Sequence, residues 1–498
     1  MNVGSRTCKT WRAFFFVSAG LLVAGAACTS QDGALQREPV NVILMVADGA
    51  GFNAFNAASY YEHGALGRQV YDDFPVRLAC TTYALEKDGE PAGYAPECFW
   101  GDFACVRGNP GPCKPTDSAA AATALNTGVK TKSGRLGVDA EGEPLPTVAE
   151  LATAAGKRAG TISSVQLCHA TPAGVWAHNV SRSRYKVIAS EMILESRLSV
   201  IMGAGNPGYD NDGRPVEEPE YRYVGGESIW MQLVTGTTAQ GWTLIEKKGD
   251  FAAIADGTIP IPRRLIGVPQ VRETLQYNRS GDGMGDLNLN VPTLATMSRA
   301  ALNVLAKDNP DGFYLMIEGG AVDWANHRNR LARMIEEQMD FNRAVEAVVE
   351  WVETNSDWEH TLLIVTSDHE CGMIWGPGSY IDKDGDGHFT PDADEFVAYK
   401  PIVNNGRGRL PGVQYGSGSH TNALVPLLVK GRDAETFYER IRGRDERAAE
   451  FWNLPDSGYV DNTDIFAVMR DVLVGDQSAT ADRTERCPAR CEALAVAW

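Results

Sequence analysis

Apolar runs of strand length recur along this chain of 498 residues, and three of them end at an acidic residue. Continuous apolar runs of this kind are typical of strands buried on both faces of a parallel sheet. They lie at residues 40–47, 313–317, 361–366 and 423–429, with weaker examples at 161–167 and 198–202.

Segments with helical periodicity alternate with these predicted strands, at residues 147–155, 293–306 and 330–353. Alternation of strands and helices indicates an α/β fold. We therefore predict a central, mostly parallel sheet flanked by helices. Loop-rich insertions at about residues 80–115, 205–290 and 371–419 are expected near the functional site.

An acidic residue follows within two positions of the end of three predicted strands. Asp48 follows the first, Glu318 follows 313–317, and Asp368 with His369 follows 361–366. The carboxyl ends of parallel strands meet at one edge of a sheet, where open α/β folds bind ligands. One such acid could simply cap a helix. Three strands ending in acid, two with histidines close behind, favour a binding site.

The remaining histidines with a suitable context extend this site to a metal cluster. Asp323 and His327 are four residues apart and so share a helix face. His420 lies in a Gly-Ser-rich stretch that we interpret as a loop before a strand. Mixed Asp and His ligands suit zinc, whereas Asp, Glu and Thr oxygens suit magnesium. Two adjacent metals suit an in-line displacement.

Ser118 opens a helix of small residues that ends at Gly128. Thr116 or Asp117 can cap it, and the amides at a helix start attract anions. The alternative is an ordinary capped helix with a surface serine. Arg182 is a candidate phosphate ligand because guanidinium binds phosphate oxygens in pairs, although a surface arginine is the simpler interpretation.

Six segments, in the same order along the chain, resemble motifs of the alkaline phosphatase family. The resemblance extends from about residue 40 to residue 431 and is carried by residues 46–49, 116–131, 169–182, 317–323, 366–369 and 418–421. It implies hydrolysis of small phosphate monoesters, a domain at 40–475 with that family's fold, and a homodimer.

The resemblance also implies a role for each candidate residue. Ser118 would be the nucleophile that forms a phosphoserine, and Arg182, oriented by Asp117, would bind the phosphate. Two Zn²⁺ ions and one Mg²⁺ would be held by three ligand sets: Asp323, His327 and His420; Asp48, Asp368 and His369; and Asp48, Thr171 and Glu318.

Two positions depart from the best-known enterobacterial pattern. His169 stands where that pattern has Asp, and Trp324 stands where it has Lys. The exchange removes one negative and one positive group near the phosphate. The metal at the third site, the phosphate affinity and the pH optimum therefore stay open.

The ends of the chain suggest export. Residues 1–27 combine basic residues with an apolar run too short for a comfortable membrane span, which predicts a signal peptide. Cys28 stands at a lipoprotein-like cleavage position, so lipid attachment and plain cleavage nearby are both open. A tether at 28–39 and a tail at 476–498 would flank the domain, in the periplasm, on the cell envelope or outside the cell.

Eight cysteines remain beyond Cys28, and an even number in an exported protein favours disulfides, although Cys168 and Cys371 can also be read as buried thiols. A separate acidic segment, with Asp382, Asp384 and Asp386, resembles the start of a calcium loop. Its twelfth position is Ala393 rather than the usual glutamate, so Ca²⁺ and an acidic turn are equal alternatives.

Composition and motifs limit the other functions. The net charge of −18 argues against nucleic acid or an anionic membrane as the main partner, and only a lipid on Cys28 would bring the chain to a membrane. A sulfatase motif is missing around Ser118. A phosphodiesterase of the same superfamily and a non-catalytic surface lipoprotein that binds metal or phosphate remain as rivals; Glu318 and Arg182 favour monoesters.

Overall fold

A computed structural model of the chain describes residues 39–85, 93–101, 114–381 and 397–475. Its strands are β1 Asn41–Ala47, β2 Val76–Thr81, β3 Arg158–Gln166, β4 Val200–Ala204, β5 Thr243–Ile245, β6 Leu265–Gly267, β7 Phe313–Gly319, β8 Thr361–Thr366, β9 Glu370–Cys371, β10 Ile374–Trp375, β11 Gln414–Tyr415, β12 His420–Thr421, β13 Val425–Gly431, β14 Gly443–Arg444 and β15 Gly458–Asp461.

Helices occupy most of the intervening chain. They are α1 Phe52–His63, α2 Pro96–Gly101, α3 Ser118–Thr127, α4 Val148–Ala154, α5 Ala170–Ala173, α6 Tyr185–Leu194, α7 Glu227–Thr235, α8 Lys248–Ala255, α9 Leu294–Ala306, α10 Ala321–His327, α11 Leu331–Asn355, α12 Glu446–Trp452 and α13 Asn462–Val474. Short 3₁₀ turns lie at Val70–Asp73, Tyr221–Val224 and Ala434–Arg440.

Eleven of the described strands form one sheet, in the order β14-β15-β2-β13-β8-β1-β7-β3-β4-β6-β5. The seven strands from β8 to β5 are parallel to one another. The predicted α/β class, with a mostly parallel central sheet, is therefore confirmed. The strand predicted at 423–429 is an exception, because β13 runs antiparallel to both β8 and β2. An apolar run specifies burial but carries no information on direction.

The sheet is covered on both faces, as continuous apolar strands require. In β1, Ile43, Met45 and Ala47 face the core that includes α9 and α11. Val42, Leu44 and Val46 face the opposite core, to which α3, α4 and α13 contribute. Side chains alternate along a strand, so one apolar strand supplies both cores.

Local sequence signals set the helix starts close to the predicted positions. Thr147 caps α4, and Glu150 completes a capping box with it. The Thr293 side chain accepts a hydrogen bond from the amide of Thr296 at the start of α9. These two helices begin one residue after the predicted bounds because the cap itself is not helical.

The region at 205–290 contains α7 and α8 and contributes two strands to one end of the main sheet, β6 and the edge strand β5. Cys80, Cys168 and Cys371 are buried free thiols. None of these three therefore takes part in the disulfides expected from the cysteine count. The cysteines at 105, 113, 487 and 491 lie outside the described residues. Within the described ranges, no helix has the length and apolar character needed to cross a bilayer.

Candidate active site

The predicted acids do meet at one edge of the sheet. In the register of the three central strands, Val46 pairs with both Glu318 on β7 and Thr366 on β8. Asp48 and Asp368 each come within two residues of these pairs, and the helix α10, with Asp323, follows β7 directly. Residues that are far apart in sequence therefore converge because their strands are neighbours.

Asp323, His327 and His420 form the first cluster. His327 Nε2 lies 3.3 Å and His420 Nε2 3.4 Å from the Asp323 carboxylate, and the two Nε2 atoms are 3.1 Å apart. Each imidazole uses Nδ1 on a main-chain carbonyl, that of Gly418 or Thr116, at 2.8 Å. This second contact orients the rings so that both Nε2 atoms point into the cluster.

His420 lies on the short strand β12, which pairs with β9, rather than in a loop as its glycine- and serine-rich surroundings suggested. Pairing with β9 connects His420 to the residues immediately after His369. A two-residue strand has no periodicity that a sequence pattern could reveal.

Asp48, Asp368 and His369 form the second cluster, and all three are buried. His369 Nε2 lies 3.2 Å from Asp368 Oδ2 and 3.7 Å from Asp48 Oδ1. The other oxygen of Asp368 accepts hydrogen bonds from the amides of Gly49, at 3.1 Å, and His369, at 3.0 Å. The main chain therefore holds this carboxylate while one oxygen faces the cluster.

Thr171 and Glu318 lie on the far side of Asp48. The Thr171 hydroxyl is 3.4 Å from Asp48 Oδ2, and Glu318 accepts a short hydrogen bond from Ser163 on β3. Both Thr171 and Glu318 are buried. Ser163 has no sequence motif that marks it, and only the adjacency of β3 and β7 brings it to the site.

Ser118 begins α3, as predicted, and its Oγ lies 3.4 Å from His369 Nε2. Asp117 caps the helix, accepting hydrogen bonds from the amides of Ala120, at 3.1 Å, and Gly134, at 2.9 Å. Its second oxygen accepts a hydrogen bond from Arg182 at 2.9 Å. One carboxylate therefore positions the helix start and the guanidinium together.

The buried carboxylates of the site have too little positive charge nearby to keep their pKa values in the usual range. Burial raises the pKa of Glu318 to about 7 and that of Asp368 to about 6. Burial, reinforced by the neighbouring carboxylates, raises the pKa of Asp48 well above its usual range. One oxygen of each is buried without a hydrogen-bond partner. Divalent cations would satisfy these oxygens, so the residues fit metal ions.

The first cluster has a different charge balance. Burial alone would raise the pKa of Asp323, but the adjacent imidazoles of His327 and His420 outweigh burial and hold that pKa well below its usual range. Burial alone would lower the pKa of His420, but the adjacent Asp323 carboxylate outweighs burial and raises that pKa to about 9. The carboxylate attracts positive charge to this position, as a proton or as a metal ion.

A cleft of about 490 Å³ opens onto Ser118, Arg182 and both histidines of the first cluster. Its lining also includes Glu273, Tyr277 and Asn278 from the loop-rich region, and Arg328 after α10. Sequence reasoning missed these four residues because no metal or phosphate motif contains them. A cleft this size has room for a small organic group beside the phosphate position.

His169 and Trp324 line the same cleft, with ring centroids 5.6 Å apart in an edge-to-face arrangement. Burial, together with the charge of Arg182, lowers the pKa of His169 to about 3. His169 is therefore neutral at any physiological pH. Asp382, Asp384 and Asp386 of the calcium-loop candidate, and Cys28, lie outside the described residues.

Comparisons with known proteins agree on one family. The family model for alkaline phosphatase matches residues 40–394. The alkaline phosphatase of Escherichia coli strain K12 is 30% identical over 380 residues, which are 68% of this chain and 72% of that protein. Since the family model matches more than half of the chain, the chain belongs to the alkaline phosphatase family. It is an enzyme that acts on phosphate monoesters.

Solved structures show the same fold. Alkaline phosphatase from the Antarctic bacterium TAB5 gives a TM-score of 0.58 at 23% identity, and the match covers 89% of this chain and 100% of the TAB5 chain. A variant of the TAB5 enzyme with a histidine replaced by aspartate, described with Mg bound in its M3 site, gives a TM-score of 0.57 at 22% identity, over 89% and 99% of the two chains.

Proposed function

We propose that the enzyme hydrolyses phosphate monoesters through a phosphoserine on Ser118, with two Zn²⁺ ions and one Mg²⁺ in the site. The observation that carries the proposal is the position of Ser118. Its Oγ is buried at a helix start, 3.4 Å from His369 Nε2, and it lines the same cleft as Arg182. A nucleophile, a candidate metal site and an anion-binding helix start thus meet at one point.

Three sets of residues would hold the metals. Zinc ions fit the two clusters that contain histidine, and magnesium fits the oxygen donors Asp48, Thr171 and Glu318. When bound, the metals supply positive charge that favours ionisation of the serine hydroxyl and departure of the leaving oxygen. The neighbour described with Mg in its M3 site is consistent with a third site in this fold.

The chain's own residues account for the rest of the reaction. Ser118 Oγ would release its proton to solvent and form the new O–P bond as the ester O–P bond breaks, and the leaving alkoxide would take up a proton to become the alcohol. Water would then attack the phosphoserine, so that the Ser118 Oγ–P bond breaks, inorganic phosphate leaves and Oγ takes up a proton. Arg182, held by Asp117, would bind two phosphate oxygens, and the first amides of α3 would bind the remaining charge.

Arg182 and Glu318 favour monoesters over diesters. A monoester presents more free anionic oxygens than a diester, and the guanidinium anchored on Asp117 is positioned to use them. Glu318 completes the third set of oxygen donors beside Asp48. The phosphodiesterase alternative gives neither residue a role.

We also propose that the chain is exported, because residues 1–27 combine a basic start with an apolar run. Lipid on Cys28 and plain cleavage nearby stay alternative predictions. Disulfides among the remaining cysteines, a homodimer and calcium at Asp382–Asp386 likewise stay predictions.

The first test is hydrolysis of a chromogenic phosphate monoester beside the matching diester, with zinc and magnesium at alkaline pH. We expect Ser118→Ala to lower monoester turnover by at least about a thousandfold, because the covalent intermediate is lost. Ser133→Ala, which alters an exposed serine, is the matched control and should keep full activity. Treatment with a chelator should abolish turnover.

Dominant diester turnover would instead place the protein among phosphodiesterases and remove the role of Arg182. Full activity of Ser118→Ala would contradict the phosphoserine. No turnover of either substrate with metals bound would favour a binding protein on the same scaffold.

A further inference from the structure

Cys371 lies in the first cluster, and the roles described so far leave it unused. Its Sγ, a carboxylate oxygen of Asp323 and one ring nitrogen each of His327 and His420 all lie within 4.8 Å of one another. Cys371 is fully buried and free of any disulfide. Sulfur, imidazole nitrogen and carboxylate oxygen are the donor types that zinc accepts in proteins.

The main chain determines where this sulfur lies. Cys371 on β9 stands directly opposite His420 on β12, and directly opposed residues of an antiparallel pair project from the same face. Glu370 and Thr421 project from the other face, where their side chains hydrogen-bond to each other. The amide of Cys371 also donates to the carbonyl of Gly49 at 3.1 Å. Backbone pairing therefore holds the thiol on the side of the cluster.

The groups beside the cluster's carboxylate are the two imidazole Nε2 atoms. Asp323 is only 5% exposed, and its Oδ1, which lies 3.4 Å from His420 Nε2, makes no well-aligned hydrogen bond to any described residue. Both histidines use Nδ1 on carbonyls, which leaves their Nε2 atoms directed inward. Because an unsatisfied buried oxygen is costly, the arrangement indicates a cation between these groups.

Charge balance favours a thiolate as the additional donor. Among the described residues, Asp323 is the one carboxylate grouped with these two histidines, so a divalent ion bound by these three side chains alone would keep one net positive charge. A thiolate cancels that charge. Burying a neutral set costs less than burying a net charge.

We propose that Cys371 is a fourth protein ligand of the metal ion bound by Asp323, His327 and His420. The proposal rests on the proposed function of this cluster as a metal site. On binding, the S–H bond is replaced by a sulfur–metal bond and the proton leaves to solvent, with no change of oxidation state. Because thiolate is a soft donor, the site should favour softer cations than an Asp-His-His set does.

Cobalt binding tests the proposal without using activity. The full chain would be freed of metal with a chelator and titrated with Co²⁺, while two absorptions are followed. Visible d–d absorption reports cobalt bound in the site, and near-ultraviolet charge transfer reports a thiolate bound to cobalt. We expect both in the wild type, and we expect Cys371→Ser to keep the visible absorption and lose the charge-transfer band.

Cys80→Ser is the matched control, because Cys80 is an equally buried free thiol that belongs to no metal-ligand group among the described residues. It should keep both absorptions. Bound cobalt with no charge-transfer band in the wild type would overturn the role of Cys371 and leave the metal cluster standing. Absence of cobalt binding would overturn the metal cluster and, with it, the sulfur ligand.

A second measurement avoids any variant that fails to fold. In ¹¹³Cd NMR of the cadmium-loaded wild type, a thiolate ligand shifts the resonance strongly downfield from sites of nitrogen and oxygen donors. One resonance shifted in this way supports Cys371 as a ligand. All resonances in the nitrogen and oxygen range would overturn it.

Discussion

At the scale of single residues, Asp117 explains why the helix start and the guanidinium act together. One of its oxygens accepts hydrogen bonds from the amides of Ala120 and Gly134, and the other accepts a hydrogen bond from the Arg182 guanidinium. Arg182 is therefore held in place before any ligand arrives, so little side-chain entropy is lost on binding. The proposed phosphate site is pre-organised.

Replacing Arg182 should weaken phosphate binding without removing the nucleophile. We expect Arg182→Ala to lower kcat/KM for a monoester by about a hundredfold and to raise KM, because a charge-assisted pair of hydrogen bonds is lost. Arg182→Lys should recover only part of this loss, since an ammonium cannot bind two oxygens in parallel. Steady-state kinetics on both ester types would measure the change.

Arg184→Ala is the control for that experiment, because Arg184 is exposed two residues away. Its kinetics should match the wild type. An equal loss of diester turnover in Arg182→Ala would contradict a role specific to monoesters.

At the scale of elements, α3 is buried along its whole length. Small side chains make this possible, since the neighbouring helix α5 approaches so closely that a Cβ on Gly174 would lie 2.6 Å from Ala122 Cβ. The helix ends at Gly128, which has a φ of 72°. Its Cα faces the Phe466 ring of α13, so the end of α3 requires glycine for backbone and packing reasons alike.

The backbone effect and the packing effect of a glycine can be measured apart, because two glycines end helices in the same backbone conformation but in different surroundings. Gly128 and Gly236, with φ of 72° and 66°, end α3 and α7. A Cβ would lie 2.4 Å from Phe466 at Gly128 and would meet nothing within 4 Å at Gly236. We expect Gly236→Ala to cost about 1 kcal/mol of the free energy of unfolding.

Gly128→Ala should cost about 1–3 kcal/mol more, from overpacking against Phe466. Urea unfolding midpoints of the two variants measure the difference. Equal costs at both positions would show that Phe466 moves aside freely.

At the scale of the whole molecule, a buried carboxyl makes folding depend on pH. Glu337 lies on α11, the long helix packed on the sheet, and is only 5% exposed. Burial, reinforced by Asp340 and Glu336, raises its pKa from 4.5 to about 8. Between these two values the folded state binds more protons than the unfolded state. This contribution to stability is therefore complete below the lower value and is lost as pH rises towards the upper one.

Glu337→Gln should remove this dependence. We expect the free energy of unfolding of the wild type to fall by a few kcal/mol, relative to the variant, between about pH 5 and about pH 8. Denaturant unfolding across that range is the measurement. Glu350→Gln, an exposed change on the same helix, should follow the wild type. Parallel curves for wild type and Glu337→Gln would show that Glu337 is ionised in the folded state.

Sequence patterns predicted most of the framework because burial and capping are local. The strand at 361–366 coincides with β8, and the helices at 147–155 and 293–306 agree with α4 and α9 apart from their caps. Two features were missed: the antiparallel direction of β13, and the short strand β12 that contains His420. Neither produces a periodic pattern in the sequence. Cys371, Ser163 and Tyr277 were not assigned to the site because each reaches it only through the packing of neighbouring elements.

The sequence by itself determined the α/β class, the family and the set of candidate metal ligands and the candidate nucleophile. Only the tertiary structure brought further residues to these sets: it placed Cys371 with Asp323, and Ser163 with Glu318. The physical reason is that burial and helix capping depend on nearby residues, whereas convergence depends on strand order and register. Those are set by the packing of the whole sheet.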